Sequence, residues 1–178
     1  MNFIKQHYYS IILYNFITKF NYTNIFEIPQ FTKIVLNIGL KNSFSEKKKI
    51  INILLLLELI TNQSALITKS KKNKITLKIK KGMFVGCKTT LRKNSLYTFL
   101  DKLILFIFPT INNFEGISLK KGNIINFRIR NILNFIEIEE EFLKFQNNYN
   151  IDVSLHSNCK SSKEFSFLLN CINFPFKK

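Results

Sequence analysis

GMFVGCKTTLR, residues 82–92, is the stretch on which the fold turns. Side chains alternate faces along a strand, so Val85, Cys87, Thr89 and Leu91 share one side and Lys88, Thr90 and Arg92 the other. Just upstream, TKSKKNK (68–74) leads into ITLKIK (75–80), which alternates in the same way: Ile75, Leu77 and Ile79 against Thr76, Lys78 and Lys80. The alternation predicts a hairpin-like region that gathers Lys69, Lys71, Lys72, Lys74, Lys78, Lys80, Lys81, Lys88 and Arg92. A sheet with one apolar face and one face of Lys, Thr and Arg suits a polyanion, with bonds spread over many phosphates. An isolated charge run would read first as an ordinary solvated face. Here the positive excess extends through the whole chain, which favours the polyanion.

That excess is a formal net charge of +16, from 27 Lys and Arg against 11 Asp and Glu in 178 residues. A surplus of this size points to nucleic acid or an anionic membrane surface. The apolar runs ILLLLELI (53–60) and LILFIFP (103–109) are too short to span a bilayer and have the length of buried helix faces. Lys, Asn, Ile and Phe make up about half the chain, while Ala, Gly, Pro and Arg are scarce. All four abundant residues have AT-rich codons, the mark of an AT-rich genome such as an organelle's. With Arg so rare, phosphate recognition rests on lysine point charges. Cys87, Cys159 and Cys171 are odd in number and form no C-x-x-C pair, which argues against a disulfide framework or zinc site and for a reducing compartment. His7 and His156 have no neighbour at metal-ligand or triad spacing and read as surface or edge residues.

With 46% hydrophobic residues, residues 1–178 can bury one core and are expected to form a single domain. Ile4, Tyr8, Ile11, Ile12 and Phe16 recur at helical spacing in residues 3–20, a segment without the features of a signal peptide. FTKIVLNIG (31–39) predicts a strand with Ile34, Leu36 and Ile38 on one face and Lys33, Val35 and Asn37 on the other. Ser45 and Glu46 predict the start of a helix running to about Thr61. Asn94 or Ser95 is the expected cap of a further helix, with a stripe of Leu96, Phe99, Leu100, Leu103, Ile104 and Ile107, stopped at Pro109. Residues 110–123 read as loop, 126–130 and 151–157 as strands, and 161–170 as a last helix. This order predicts an α+β fold: a largely antiparallel sheet with helices packed on one face and the other face free to bind.

Two other function classes compete. The one dense carboxylate cluster, IEIEEEF (136–142), has no His, Cys or Asp at metal spacing beside it, and no phosphate-binding glycine motif occurs, so an enzyme is disfavoured. A peripheral membrane protein would need a helix with Lys on one face and Phe on the other, whereas residues 94–108 carry little charge.

Landmarks along nearly the whole chain resemble the bacterial-type large-subunit ribosomal protein of the L-five family. YYSIILYNFITKFNYTNIFEIP (8–29) is similar to its opening helix and turn, and KIVLNIG (33–39) to its first strand. NQSALITKSKK (62–72) stands where the family has a G-Q-K-P and T-K-x-x-K pattern. GMFVGCKTTLR resembles the family's G-x-x-I-G-x-K-V-T-L-R, FLDKLI precedes Pro109, and FPFKK (174–178) resembles the family's ending.

The resemblance implies a non-enzymatic constituent of the central protuberance, binding 5S ribosomal RNA and large-subunit rRNA through the open sheet face. The rRNA-facing positions it implies are Asn37, Gln63 and Thr90, with Thr68 and the cations Lys33, Lys69, Lys71, Lys72, Lys88 and Arg92. Lys74, Lys78, Lys80 and Lys81 fall in a finger that approaches the peptidyl-site tRNA; there Leu77 stands for the family's aromatic, and Ile75 and Thr76 for its small Ala-Gly pair. Thr110, Asn112, Asn113 and Glu115 fall in a loop that meets a small-subunit head protein, where the family's arginines are replaced. Neither cofactor nor metal is implied, nor membrane, nor an independent homo-oligomer. Composition and the alignment of Met1 with the family's own start imply synthesis inside an organelle. The mitochondrial matrix ranks first and a plastid second.

Overall fold

The computed structural model describes residues 2–40, 47–77, 79–111, 114–119, 122–139, 145 and 149–177. It is an α+β fold with a mostly antiparallel sheet. In chain order its elements are α1 (Phe3–His7), a π-helical turn (Tyr8–Ile12), α2 (Leu13–Lys19), a 3-10 turn (Ile25–Glu27), β1 (Phe31–Gly39), α3 (Lys47–Thr61), β2 (Leu66–Lys69), a 3-10 turn (Ile75–Leu77) and β3 (Phe84–Leu91). Next come α4 (Lys93–Lys102), a π-helical turn (Leu103–Ile107), α5 (Phe108–Thr110), β4 (Ile117–Ser118), β5 (Ile124–Ile129), a 3-10 turn (Ile132–Asn134), α6 (Ile136–Glu139), β6 (Ile151–Ser157), α7 (Ser162–Cys171) and β7 (Phe176–Lys177). The main sheet has the order β2-β3-β1-β6-β5, and β4 pairs in parallel with β7.

The chain gathers into two compact units, Met1–Ile34 with Leu91–Phe127 and Ser154–Lys178, and Val35–Thr90 with Arg128–Val153. In the first, α1, the π turn and α2 run on as one helix that buries Ile4, Tyr8, Ile12 and Phe16 and leaves Ile11 exposed. A repeat of four residues drifts by about 40° per step around an ideal α-helix. The wider π turn takes up that drift and keeps the stripe on the core. The start of the helix is capped from elsewhere in the unit: Asp101 Oδ1 accepts the Ile4 N–H at 2.9 Å.

The α4 helix begins at Lys93, so its N-cap is Arg92 and not the expected Asn94 or Ser95, and the Arg92 side chain makes no capping bond. Asn94 instead lies in the first turn, where its Oδ1 accepts from Lys5 Nζ at 2.6 Å. The helix also passes the expected stop at Pro109 and ends at Thr110. Proline has no N–H to donate and its ring crowds the preceding turn, and the widened turn just before it gives that ring room. Tyr97 and Phe108 join the buried stripe, while Ile104 is only half-buried. Residues expected as pure loop contain β4, a pairing too short to leave any period in the sequence. Phe108, Phe114, Phe127 and Phe174 close this unit's aromatic core. Ser161 caps α7 in a reciprocal box with Glu164.

In the second unit, α3 buries Ile53, Leu56, Leu57 and Ile60 at the i, i+3, i+4, i+7 spacing of one helix face. It ends at Thr61 as expected; the expected start at Ser45 and Glu46 lies outside the described residues. Asn62 follows with φ 51°, a left-handed position that Asn tolerates, and its N–H reaches Glu58 O at 2.8 Å. The expected strand over 75–80 does not form. Ile75–Leu77 is a 3-10 turn with Ile75 92% exposed, and the first arm of the hairpin is β2. Local ties override the alternation: Lys74 and Ile79 exchange backbone bonds of 2.8 and 3.0 Å, and Asn73 Oδ1 accepts the Lys81 N–H at 2.6 Å.

Candidate nucleic-acid interface

Two strands and one helix end of the second unit build the site. Along β1, Ile34, Leu36 and Ile38 are fully buried, while Lys33 and Val35 are half-buried and Asn37 is exposed. Along β3, Cys87, Thr89 and Leu91 are buried, Lys88 is exposed and Thr90 half-buried. Both strands thus keep the two-residue alternation expected of a sheet with one face in the core. Burial pushes the Cys87 thiol up to about 11, so it is an inert core group at neutral pH.

The pairing of β2 with β3 fixes what else shares the Lys88 side. Leu66 stands opposite Lys88 and Thr68 opposite Gly86, so Leu66 and Thr68 join it. Ile67, opposite Cys87, has core parity yet remains 40% exposed, because β2 is the edge strand. The register shifts between Thr68 and Lys69, and Lys69 Nζ lies 5.4 Å from the centre of the Phe84 ring.

Gln63 is delivered by the turn that ends α3. The Thr61 hydroxyl donates to Leu57 O at 2.6 Å and accepts the Gln63 N–H at 3.3 Å. So anchored, Gln63 Nε2 donates to Thr90 O at 3.2 Å. One amide hydrogen is spent on β3, which leaves the other and Oε1 for a ligand at an exposed position. Asn37 makes no side-chain hydrogen bond and Lys88 no ion pair among the described residues. The site therefore combines a bare ammonium, two carboxamides and the Thr68 and Thr90 hydroxyls on an exposed strand surface.

The loop of residues 70–83 is closed at its base by Ser70 N–H to Met83 O at 2.8 Å and Gly82 N–H to Ser70 O at 2.9 Å. It holds Lys71, Lys72, Lys74, Lys80 and Lys81 at its surface; Lys78 lies outside the described residues.

The remaining expected site residues are placed as follows. Lys33 and Arg92 belong to the first unit, on β1 and just after β3. Thr110 donates to Ile107 O at 2.8 Å, a bond within its own helix turn. Glu115 pairs with Lys177 at 2.5 Å, which holds its carboxyl below the usual carboxylate range. Asn112 and Asn113 lie outside the described residues.

The reading of the sequence missed the polar half of β6. Asp152, Ser154 and His156 alternate with the buried Ile151, Val153 and Leu155, and the same period-two pattern was visible in IDVSLHS. Asp152 pairs with Arg128 of β5 at 2.5 Å. Partial burial and the Lys33 ammonium lower the His156 pKa. Among the described residues no His, Cys, Asp or Glu group could hold a metal, and no helix is long and apolar enough to cross a membrane.

An exposed, cation-bearing strand surface over a buried face suits a polyanionic partner. Residues 24–80 match the family model described as Ribosomal protein L5, and residues 84–176 match the model described as the C-terminus of the same ribosomal family. The large ribosomal subunit protein uL5m of Reclinomonas americana is 41% identical over 181 residues, covering 100% of both chains. The chain belongs to the ribosomal protein L5 family. It is a structural, non-catalytic constituent of the large ribosomal subunit, in a family for which rRNA binding is typical.

Proposed function

We propose that this protein holds 5S rRNA, large-subunit rRNA or both in the central protuberance of a mitochondrial ribosome. Lys88 and Lys69, with Lys71 and Lys72, neutralise phosphates and supply affinity. Asn37, Gln63, Thr68 and Thr90 meet sugar and base edges and set the register. Lys33 on β1 and Arg92 after β3 each add a cation. The observation that carries this reading is the Gln63–Thr90 bond, which sets a carboxamide against the strand that bears the exposed Lys88.

The loop of residues 70–83 approaches the peptidyl-site tRNA. Its double closure supports this reading, because it holds Lys74, Lys80 and Lys81 away from the sheet with little ordering left to lose on contact. Lys78 adds to that charge. The segment of Thr110, Asn112, Asn113 and Glu115 faces the small-subunit head, where Glu115 meets a partner protein only by releasing Lys177. Synthesis inside the mitochondrion accords with the AT-rich composition and the uL5m relative; a plastid is the second reading.

The test is incorporation. Lys88→Glu with Arg92→Glu is expected to keep the fold and to be lost from large subunits on sucrose gradients. Normal incorporation of that variant would overturn the assignment.

A further inference from the structure

In the first unit, the opening turns of the N-terminal helix and the start of α4 border an open surface groove of about 820 Å³, lined by Asn2, Lys5, Gln6, Tyr9, Ser10 and Asn94. The lining contains three carboxamides, two hydroxyls, one ammonium and no carboxylate.

The walls are fixed. Asn2 Nδ2 donates to Asn94 O at 3.2 Å, Thr98 Oγ1 donates to Asn2 Oδ1 at 3.0 Å, and Lys5 Nζ donates to Asn94 Oδ1 at 2.6 Å. The Tyr9 ring stands edge-on to Tyr8, with centroids 5.4 Å apart and planes at 89°. Tyr8 is itself buried and donates to Pro29 O at 2.8 Å, so Tyr9 rests on an immobile neighbour while 54% of its surface stays exposed.

We infer that this groove seats one unpaired nucleotide of ribosomal RNA, its base against the Tyr9 ring, its edge on the carboxamides and its phosphate near Lys5. Single-stranded RNA is recognised by such a set: an aromatic face for stacking, amides able to donate and accept, and a cation. An acidic peptide would find a single cation here, Lys5. The proposal goes beyond the sheet-face reading and uses none of its residues.

Amide NMR of the full chain, titrated with single-stranded RNA hexamers of each base and separately with nucleoside monophosphates, tests it. Amides of residues 5–10 and of Asn94 should shift with at least one hexamer. Tyr9→Ala should weaken that binding about tenfold, the loss of one base stack, while Tyr9→Phe should retain it. Lys88→Glu should leave these shifts in place, so a failure of the sheet-face reading shows separately. Groove amides that stay still, or an unchanged affinity of Tyr9→Ala, would overturn the proposal. So would monophosphates binding as tightly as hexamers, which assigns the groove to free nucleotides, or cross-links from Lys5 to protein instead of RNA in assembled subunits.

Discussion

A β-carbon placed on Gly86 would stand 2.3 Å from the carbonyl oxygen of Ile38. The contact is backbone, so no side chain can move aside, and any larger residue must push β3 away from β1. The same two strands carry Asn37 and Lys88, so the spacing of the groups proposed to meet RNA depends on this glycine. Gly86→Ala should destabilise the protein by about 1–3 kcal/mol, the usual range for overpacking. Urea unfolding measures it; a variant within experimental error of the unmodified protein would contradict the close approach.

RNA affinity should fall steeply with salt. If about six phosphates are neutralised, the log–log slope should be roughly −4 to −5. Lys88→Gln should reduce its magnitude by about 0.7–0.9, because one phosphate contact is lost. Asn37→Ala should weaken binding to the cognate RNA while leaving the slope unchanged. Filter binding across a salt series separates the two effects.

Thr89 has core parity on β3, is 2% exposed, and its hydroxyl has no hydrogen-bond partner among the described residues. Thr89→Val keeps the shape and removes the buried hydroxyl. The substitution should stabilise the protein by about 1 kcal/mol, read as a higher denaturation midpoint with unaltered RNA binding.

Ser161 and Glu164 close the start of α7 on each other: Glu164 N–H donates to Ser161 Oγ at 3.2 Å and Ser161 N–H to Glu164 Oε2 at 3.3 Å. Ser161→Ala should cost about 1 kcal/mol. The lost stability should appear in thermal melts with the RNA slope unaffected, since the cap is remote in sequence from every residue of the proposed RNA site.

The His156 pKa is lowered from 6.5 by partial burial and then by Lys33. Unfolding restores a more basic imidazole, so the unfolded chain binds more protons at mildly acidic pH. This contribution to stability is complete above pH 6.5 and is lost as pH falls below it. His156→Asn should flatten that part of the stability profile. Lys33→Gln should move the imidazole back toward its ordinary pKa, followed by NMR titration.

Strand parity was the most legible feature of the chain. Residues 31–39, 84–91 and 151–157 each bury one side of the sheet, and a period of two survives in sequence whenever one face is wet. The end of α3 and the last helix, α7, were legible because their signals are local. Residues 75–80 misled for the converse reason. Their alternation is real, but three short-range bonds from Lys74, Ile79 and Asn73 decide the backbone. The π turns and the passage through Pro109 depend on packing around the helix, which leaves no residue signature. The Asn2–Asn94 groove joins residues 92 positions apart and could not be read from either segment alone.

The β2 edge is four residues long, irregular between Thr68 and Lys69, and flanked by Lys69 and Lys88. Two free copies meeting rim to rim would bring ammonium groups together and find little regular backbone to share. Electrostatic repulsion between such ammonium groups should disfavour pairing between free copies. A partner rich in negative charge would lift that repulsion, so the same edge that resists self-pairing would accept a polyanion.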